Sequence, residues 1–548
     1  MDWQAYSDTL TPIGILDYLI IGLYGLFILG YGVYKARTVK TSEDYLVAGR
    51  GLGLFVLVGT LVMTELNTAA VVGWSPFGYS AGPWALVLPL CFVVGLGAYT
   101  VLVAKRWKRL DATSISEMAE ARFGPKLRAL VAVLSIFSLC LYGPAYLKAA
   151  STMFSIALGD FELQYVGITT TVLCISVLIF TLAGGLVSVV WTDLASFLIT
   201  IVTVPVLVVV CWVKGGGISG LQAAYPPEAL SFNPAAHMAD PTVPVTFVIA
   251  LYGLLFLIYC QAPWYGQRMF AAKNPKTAYS GMAIATVLIV LLYGAYLLVC
   301  AMARAGFTAE GLPPLPASEQ EKVLGLAIVH WMPPVMKGLM LAMIFAVCQT
   351  TLSSIWNVNV SMMSQDLYRG FFKRDATDGQ VLKFSRLITV VVAGITIYLS
   401  LVGSRVLGLL FLANVFTVAL FFVVVAGFLW WGATSRGTWI TTGLSILVGF
   451  WIIYFKSNEA GIQTVNLFGL KIWEGPLASE PWMFALCILV MPVVVIIGVG
   501  ICLFDKEDDT AIAKRIAFFD RCGAPLFGKR AYEAAKRRLT PGNGAVVK

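Results

Sequence analysis

Apolar runs of about 20 residues recur along the whole chain, and they constrain its fold more than any other feature. This is the length that an α-helix needs to cross the hydrocarbon core of a bilayer. The 548-residue chain is 59% hydrophobic and 12% charged, whereas soluble proteins carry about 25% charged residues. If the protein were soluble, it would have too few polar residues to cover a hydrophobic core of this size. The sequence therefore predicts an all-α polytopic membrane protein.

The apolar runs predict about thirteen transmembrane helices. A polar segment over 111–124 is too hydrophilic to span, and we expect a short cytoplasmic helix there. The charged tail after Asp505 is expected to form a short amphipathic helix followed by disorder. The expected spans are 13–34, 51–75, 82–104, 128–158, 164–188, 190–213, 244–262, 277–303, 334–364, 383–403, 405–431, 437–455 and 482–503.

The basic residues indicate how these spans are oriented. Lysine and arginine concentrate after the first, third, seventh, ninth and eleventh spans and in the tail. Basic loops remain on the cytoplasmic side of a membrane, so the N-terminus is expected outside and the C-terminus inside the cell. The lone glycosylation sequon begins at Asn359, within a span, which favours a bacterial inner membrane.

Several classes of protein are disfavoured by what the chain contains. The net charge of +9 follows from the basic cytoplasmic loops, so no nucleic-acid partner is expected. The sequence has no G-x-x-x-x-G-K-[ST] loop, which argues against ATP-driven transport. Its two histidines, His237 and His330, fall in predicted outside loops without a nucleophile beside them. An enzyme is therefore not expected, and the oligomeric state is left open.

Polar residues at membrane depth are the candidate functional groups, because burying them in lipid is costly. Glu65 and Asn67 lie in the middle of the second span. A carboxylate there must be protonated, paired or bound to a cation. In the ninth span, Thr350 and Ser354 share one helix face and Thr351 borders it. Such oxygen donors suit a small hard cation.

A second group of candidates surrounds a proline in the seventh span. Pro263 lacks an amide donor, and a broken helix at membrane depth is tolerated where its backbone lines a cavity. Trp264 either faces a solute or marks the membrane interface. Asp193 falls at the predicted cytoplasmic turn between the fifth and sixth spans, where it is either an exposed loop residue or part of a site.

Five segments, in order, resemble motifs of the sodium:solute symporter family. The likeness covers nearly the whole chain, and each segment matches a run that is typical of the family. The segments are TSEDYLVAGRGLGLF, SEMAEARFG, TLAGGLVSVVWTD, GQRMFAAKNPKTA and SQDLY.

The resemblance implies the inverted-repeat fold of the bacterial leucine transporter, in which the first helix of each five-helix repeat is broken. The breaks would lie near Glu65 and Pro263. The implied divisions are an N-terminal helix and loop (1–50), a first repeat (51–213), an extracellular loop (214–243), a second repeat (244–432), two C-terminal helices (433–504) and a cytoplasmic tail (505–548).

The resemblance also implies a site for Na⁺, the coupling ion of the family. Its ligands would be the carbonyls of Met63, Leu66 and Val347 and the hydroxyls of Thr350 and Thr351. Asp193 matches an acid on the sodium exit route. Glu65 stands where proline-type members have Asp and a galactose member has Asn, so it is a candidate for ion coupling.

The solute is less constrained by the resemblance. Positions that bind sugar hydroxyls in galactose-type members are here Ala70, Pro89, Leu255 and Ile258, and a hexose would lose its hydrogen bonds against them. Trp264 is similar to an aromatic residue that contacts the ammonium group in a choline-transporting member. An amino acid, a carboxylate and a quaternary amine stay open. Further solute-binding candidates are Asn67, Tyr259 and Gln349.

Three functions remain open from the sequence. The first is Na⁺-coupled symport of a small organic solute by alternating access. The second is proton-coupled symport, with Glu65 as the proton carrier. The third is a transporter-like sensor that signals through its tail, although deleting the tail is expected to leave transport intact.

Overall fold

The computed structural model shows a bundle of helices. It describes residues 6, 13–37, 48–112, 114–238, 240–402, 406–457, 464–467, 470–474 and 480–539. The start of the TSEDYLVAGR motif, over 41–47, and the extreme C-terminus, over 540–548, where disorder is predicted, lie outside these residues.

The helices are numbered here in chain order. They are α1 (Ile15–Ala36), α2 (Leu54–Glu65), α3 (Thr68–Gly73), α4 (Ser75–Ala81), α5 (Cys91–Tyr99), α6 (Lys105–Leu110), α7 (Ile115–Phe123), α8 (Pro125–Ala157), α9 (Val166–Lys214), α10 (Gly217–Ala224), α11 (Val245–Tyr259), α12 (Pro263–Ala271), α13 (Pro275–Ala309), α14 (Val323–Trp331), α15 (Met336–Ser361), α16 (Asp378–Val402), α17 (Val406–Val418), α18 (Phe421–Leu429), α19 (Ser435–Ser457), α20 (Glu480–Phe504), α21 (Asp509–Cys522) and α22 (Lys529–Leu539).

Shorter helical turns and one hairpin complete the described structure. The 3₁₀ turns are Ala48–Arg50, Gly82–Leu90, Pro227–Leu230, Pro234–His237 and Gln320–Lys322, and π-helical turns cover Thr100–Ala104 and Met362–Phe372. Between α19 and α20 lie two antiparallel strands, β1 (Thr464–Leu467) and β2 (Leu470–Glu474).

The described helices have the length and composition of membrane spans. Seven described helical segments are long and apolar enough to cross a bilayer, one of them the composite Thr68–Leu110, or eight if α11 and α12 count as one bent span. The all-α membrane fold is therefore confirmed, but the predicted count of thirteen is not, because breaks shorten several apolar segments. The shorter apolar helices cover Leu54–Glu65, Val166–Ile179, Phe416–Leu429 and Val490–Phe504.

Helix α9 corresponds to two predicted spans. Its 49 residues would extend about 74 Å if straight, more than twice the hydrocarbon thickness of about 30 Å. Just before α9, the Phe161 carbonyl accepts a hydrogen bond of 2.6 Å from Lys322. At its far end, the Lys214 carbonyl lies against Gly306. Both ends of α9 therefore lie near the C-terminal end of α13 or the connection that follows it. Because the two ends are close to the same part of the bundle, we interpret α9 as two passes across the membrane.

Both broken helices occur where the sequence predicts them. Helix α2 ends at Glu65, and α3 begins at Thr68 after an extended residue pair. The second break follows Tyr259, and Pro263 then starts α12 at an angle of 49° to α11. Proline is favoured at the first position of a helix because it has no amide to leave unpaired.

Helix α15 lies at the centre of the bundle. It packs against α1, α8 and α9, and nearly all of its residues are buried by protein. A helix that carries many hydroxyl and amide side chains is stable at membrane depth when neighbouring helices cover it. Its polar residues, among them Thr350, Thr351 and Ser354, are therefore protein-facing groups.

The tail is more ordered than the sequence predicts, since it forms α21 and α22. Arg106 donates hydrogen bonds of 2.8 Å to the carbonyls of Gly523 and Ala524. The backbone amides of Leu526 and Phe527 bond to the Leu429 carbonyl at 2.9 Å. These contacts join the tail to the ends of α6 and α18.

Candidate functional site

The two helix breaks and the centre of α15 enclose one cavity. Its volume is about 90 Å³ for the centres of water-sized molecules, and about 770 Å³ of empty space is present when the open solvent at its mouth is counted. The residues that line it are Thr64, Glu65, Asn67, Ala70, Trp74, Phe92, Tyr142, Tyr146, Leu251, Leu255, Ile258, Tyr259, Trp264, Thr351, Ile355, Leu410 and Asn414.

Beside this cavity, the structure brings together the five oxygen atoms of the expected sodium set. Thr351 Oγ1 lies 2.9 Å from the carbonyl oxygen of Val347 and 3.5 Å from those of Met63 and Leu66. Thr350 Oγ1 lies 3.2 Å from the Val347 oxygen and 3.5 Å from the Met63 oxygen. The set joins the broken end of α2 to the middle of α15.

The helix break explains why two of these carbonyls are available. In an unbroken helix, Met63 and Leu66 would accept from the amides of Asn67 and Ala70. Here the Asn67 amide donates instead to the Tyr293 hydroxyl at 3.3 Å, and the Ala70 amide donates to Asn67 Oδ1 at 2.7 Å. The carbonyls are thus left without their helical donors.

The spacing of the oxygens suits a small cation. Oxygens bound at about 2.4 Å in an octahedral arrangement lie about 3.4 Å apart, the spacing expected for an ion of the size of Ca²⁺. Na⁺ has nearly the same ionic radius. The oxygen pairs measured here are separated by 2.9 to 3.5 Å. The donors are neutral carbonyls and hydroxyls, so they fit a monovalent cation.

Glu65 lies at the end of α2 with its carboxylate in the cavity wall. The side chain is 4% exposed. One of its oxygens accepts from the Tyr259 hydroxyl, and the other accepts from the Tyr265 hydroxyl. The Glu65 carbonyl accepts from Tyr293 at 2.8 Å and from Asn67 at 2.8 Å. Two broken helices and α13 therefore position this carboxylate.

Asp193 lies in a second polar cluster, outside the cavity lining. It is 0% exposed, so of the two alternatives that the sequence leaves open for Asp193, an exposed loop residue is excluded. Its Oδ2 lies 3.6 Å from Arg268 Nη2 and accepts from the Thr60 hydroxyl. Arg268 also donates to Ser354 Oγ at 2.7 Å, and Ser354 in turn bonds to the Thr350 carbonyl. This chain of contacts connects Asp193 to the sodium set.

Most solute-binding candidates line the cavity, but Gln349 does not. Asn67, Ala70, Leu255 and Ile258 line it together with Tyr259 and Trp264. Gln349 is buried elsewhere, and both polar atoms of its side chain lack a hydrogen-bond partner among the described residues. The reason is helical geometry, since residues two positions apart, such as 349 and 351, point about 200° apart.

Sequence reasoning missed the aromatic wall and the buried arginine. Trp74, Phe92, Tyr142 and Tyr146 line the cavity, yet aromatic residues within apolar spans give no signal that separates a cavity wall from a packed core. Arg268 is 0% exposed, although the sequence places it among the basic residues that follow the seventh span. The helix break at Pro263 keeps the following residues inside the bundle. This break is the sequence signal from which a buried position for Arg268 could have been predicted.

The fold is that of a membrane transporter in which the broken helices and α15 bring a set of five oxygens beside a cavity. The chain belongs to the sodium:solute symporter family, whose model matches residues 45–444. Its coupling ion is Na⁺.

Individual relatives transport different solutes. The osmoregulated proline transporter of Bacillus subtilis is 27% identical over 484 residues, which cover 81% of this chain and 93% of that protein. A sodium/sialic acid symporter of Proteus mirabilis is 27% identical over 403 residues, 70% of this chain and 77% of that protein. A sodium/glucose cotransporter of Vibrio parahaemolyticus is 26% identical over 420 residues, 69% of this chain and 73% of that protein.

A solved structure has the same fold. It is the substrate-bound outward-open state of a Na⁺-coupled sialic acid symporter, with a TM-score of 0.71 and 18% sequence identity. The match covers 90% of this chain and 99% of that chain.

Proposed function

We propose that the chain carries a small organic solute across a membrane together with Na⁺, by alternating access. The observation that carries this proposal is the set of five oxygens between α2 and α15, next to the cavity. We assign Na⁺ to the oxygens of Met63, Leu66, Val347, Thr350 and Thr351. The family favours Na⁺ over the alternative of proton coupling through Glu65.

The cavity is proposed as the solute site. An amino acid or a quaternary amine fits its wall better than a hexose does. Ala70, Leu255 and Ile258 form an apolar wall, against which sugar hydroxyls would remain unpaired. Glu65 is proposed to couple ion and solute, and Asp193 is proposed to lie on the path by which Na⁺ leaves.

We propose that alternating access involves the relative movement of two inverted repeats, over 51–213 and 244–432. The broken helices α2–α3 and α11–α12 would each start a repeat, and both contribute to the cavity. Rocking of one repeat against the other would open the site to each side in turn. We further propose a bacterial inner membrane, with the N-terminus outside and the basic tail in the cytoplasm.

The sodium assignment is tested by the substitution Thr351→Ala. This change removes one of five oxygens, and a hydrogen-bond-like contact to a charged group contributes about 1.5–3 kcal/mol. We expect the Na⁺ concentration for half-maximal thermal stabilisation to rise by about tenfold or more. The midpoint temperature of the purified protein is measured against NaCl, with KCl holding the ionic strength constant.

Thr389→Ala is the matched control. Thr389 is buried in α16, and its hydroxyl bonds to the Ser385 carbonyl at 2.8 Å, as membrane hydroxyls often do. It is expected to keep the Na⁺ response of the unmodified protein. An equal Na⁺ response in the Thr351 variant would exclude this sodium site.

A further inference from the structure

Two grooves lie side by side on the surface of the bundle, at the start of α19. One runs between the first turns of α8 and α19, and the other runs between α19 and the end of α20. Arg436 and Ile440 line both grooves, so they form the ridge that separates them. Neither groove shares a lining residue with the central cavity, and the function proposed above makes no use of them.

Hydrogen bonds hold the first groove in shape. The Ser435 hydroxyl donates to the Phe123 carbonyl at 2.9 Å, which joins the start of α19 to the turn before α8. Arg122 is buried, and it donates to the Ala433 carbonyl at 2.8 Å, next to the same junction. Arg436 directly follows Ser435. The two helix starts are therefore fixed beside each other, with a groove between them that the protein itself builds.

The first groove is positively charged. Lys126 and Arg436 line it and are exposed, and neither forms an ion pair or a hydrogen bond with a residue that the structure describes. No acidic side chain is present among the described residues of this lining. Glu507 follows α20, but it is paired with Arg515 and accepts from the Ser435 amide. An anion that enters the first groove therefore meets two uncompensated cations.

Apolar side chains continue from both grooves along helices that are predicted to span the membrane. Ile440, Ile497 and Ile501 line the second groove, and Trp439, which is 44% exposed, lines the first. Exposed apolar side chains on such helices are covered by lipid tails, and tryptophan is enriched where the tails meet the head groups. Asp505 is the acidic residue of the second lining, and it directly follows α20, so it lies at the level of the head groups.

We propose that the two grooves bind one anionic phospholipid, which belongs to the cytoplasmic leaflet in the orientation proposed above. Its phosphate lies between Lys126 and Arg436 in the first groove, and its two acyl chains pass on either side of Ile440, one along each groove. Basic pockets between membrane helices favour anionic head groups. A zwitterionic lipid carries a positive group beside its phosphate, so the two cations bind it less tightly. The site is independent of the transported solute and of the coupling ion.

Lipid binding to the purified full-length protein in detergent tests this proposal. Native mass spectrometry measures the apparent Kd of dioleoyl-phosphatidylglycerol, which is anionic, and of dioleoyl-phosphatidylcholine, which has the same chains and a zwitterionic head group. We expect the anionic lipid to bind at least about tenfold more tightly. Equal affinities of the two lipids would overturn the proposal. Displacement of the anionic lipid by an equal concentration of glycerol 3-phosphate, which has the phosphate but no chains, would also overturn it.

Two double variants relate the lipid preference to this site. Lys126→Gln combined with Arg436→Gln removes both cations, so the ratio of the two Kd values should fall several-fold. Lys383→Gln combined with Arg386→Gln is the matched control, since these exposed basic residues lie near the start of α16, outside both grooves, and it should keep the ratio. An unchanged ratio in the first double variant would exclude the site. An equal fall in both would mean that positive charge anywhere on this side of the bundle suffices, which also contradicts the proposal.

Discussion

Asn67 is the residue that maintains the gap between α2 and α3. Its Oδ1 accepts from the Ala70 amide at 2.7 Å, and its Nδ2 donates to the Glu65 carbonyl at 2.8 Å. Asparagine is favoured at the position immediately before a helix, the N-cap, because its side chain can pair an amide that has no helical acceptor. Here the same side chain also fixes the backbone that presents the Leu66 carbonyl.

Replacing Asn67 with alanine is therefore expected to have two effects. Loss of a helix cap costs about 1 kcal/mol of stability, and the freed backbone should weaken Na⁺ binding several-fold. Asn274→Ala is the control, since Asn274 caps α13 through the Thr277 amide at 2.8 Å, outside the cavity lining. Both variants are compared by thermal unfolding with and without NaCl. A Na⁺ response that is equal in the two variants would contradict this role of Asn67.

The pair of Asp193 and Arg268 allows a second prediction. Both side chains are 0% exposed, and removing one partner of a buried ion pair costs about 3–5 kcal/mol because the other charge remains. Arg268→Gln should strongly destabilise the protein, and the double substitution with Asp193→Asn should recover much of the loss. Unfolding by denaturant in detergent measures both. If the double variant is less stable than Arg268→Gln, the two charges do not compensate each other.

The sequence predicted the polar residues of this site better than its walls. Glu65, Asn67 and the Thr350–Thr351 pair were conspicuous because polar groups in apolar spans are costly. Tyr142 and Trp74 were not, because an aromatic side chain is equally stable in a packed core. The position of Gln349 was misjudged because membership of a polar cluster does not specify a helix face.

At the scale of elements, the two broken helices and the tail are the features that connect different parts of the helix bundle. The breaks were predictable, since Pro263 and the polar run at Glu65 interrupt apolar periodicity. The hairpin of β1 and β2 was not, because short strands between membrane helices are obscured by the surrounding apolar signal. A short amphipathic helix was predicted in the tail, but its packing against the bundle was not, because the charged sequence gives no sign that Phe518 and Phe519 form a buried apolar face.

Asp520 in α21 accepts hydrogen bonds from Tyr532 and Lys536 in α22. Partial burial acts to raise the pKa of this carboxyl, but hydrogen bonds from Lys536 and Tyr532 hold the pKa below its ordinary value. A carboxyl with a lowered pKa in the folded state stabilises it above the unfolded pKa of about 3.9 and loses that contribution as the pH falls further. The attachment of α22 should therefore be constant between about pH 6 and pH 8.

Asp520→Asn tests this contact directly. The neutral side chain weakens the bond to Lys536, so amide hydrogen exchange over Lys529–Leu539 should become several-fold faster at pH 7. Glu533→Gln is the control, since its contact with Lys529, at 4.0 Å, is between exposed groups and contributes little. Unchanged protection in the Asp520 variant would mean that apolar packing alone attaches α22.

At the scale of the whole molecule, the bundle joins the proposed sodium site to the proposed solute cavity. Thr351 belongs to both, since its hydroxyl lies among the sodium oxygens and the residue lines the cavity. Because Thr351 is shared, binding of Na⁺ and binding of the solute should depend on each other. Thermodynamic linkage requires this dependence to be reciprocal. Na⁺ should raise the affinity for the solute by the same factor as the solute raises the affinity for Na⁺.

The most direct test of Na⁺-coupled symport is uptake into proteoliposomes under imposed gradients. Radiolabelled choline, glycine betaine, proline and propionate are offered with an inward Na⁺ gradient, an inward proton gradient, or no gradient. We expect at least one of them to accumulate under the Na⁺ gradient, and the accumulation to disappear when an ionophore dissipates that gradient. Accumulation driven equally by the proton gradient in the absence of Na⁺ would contradict the account.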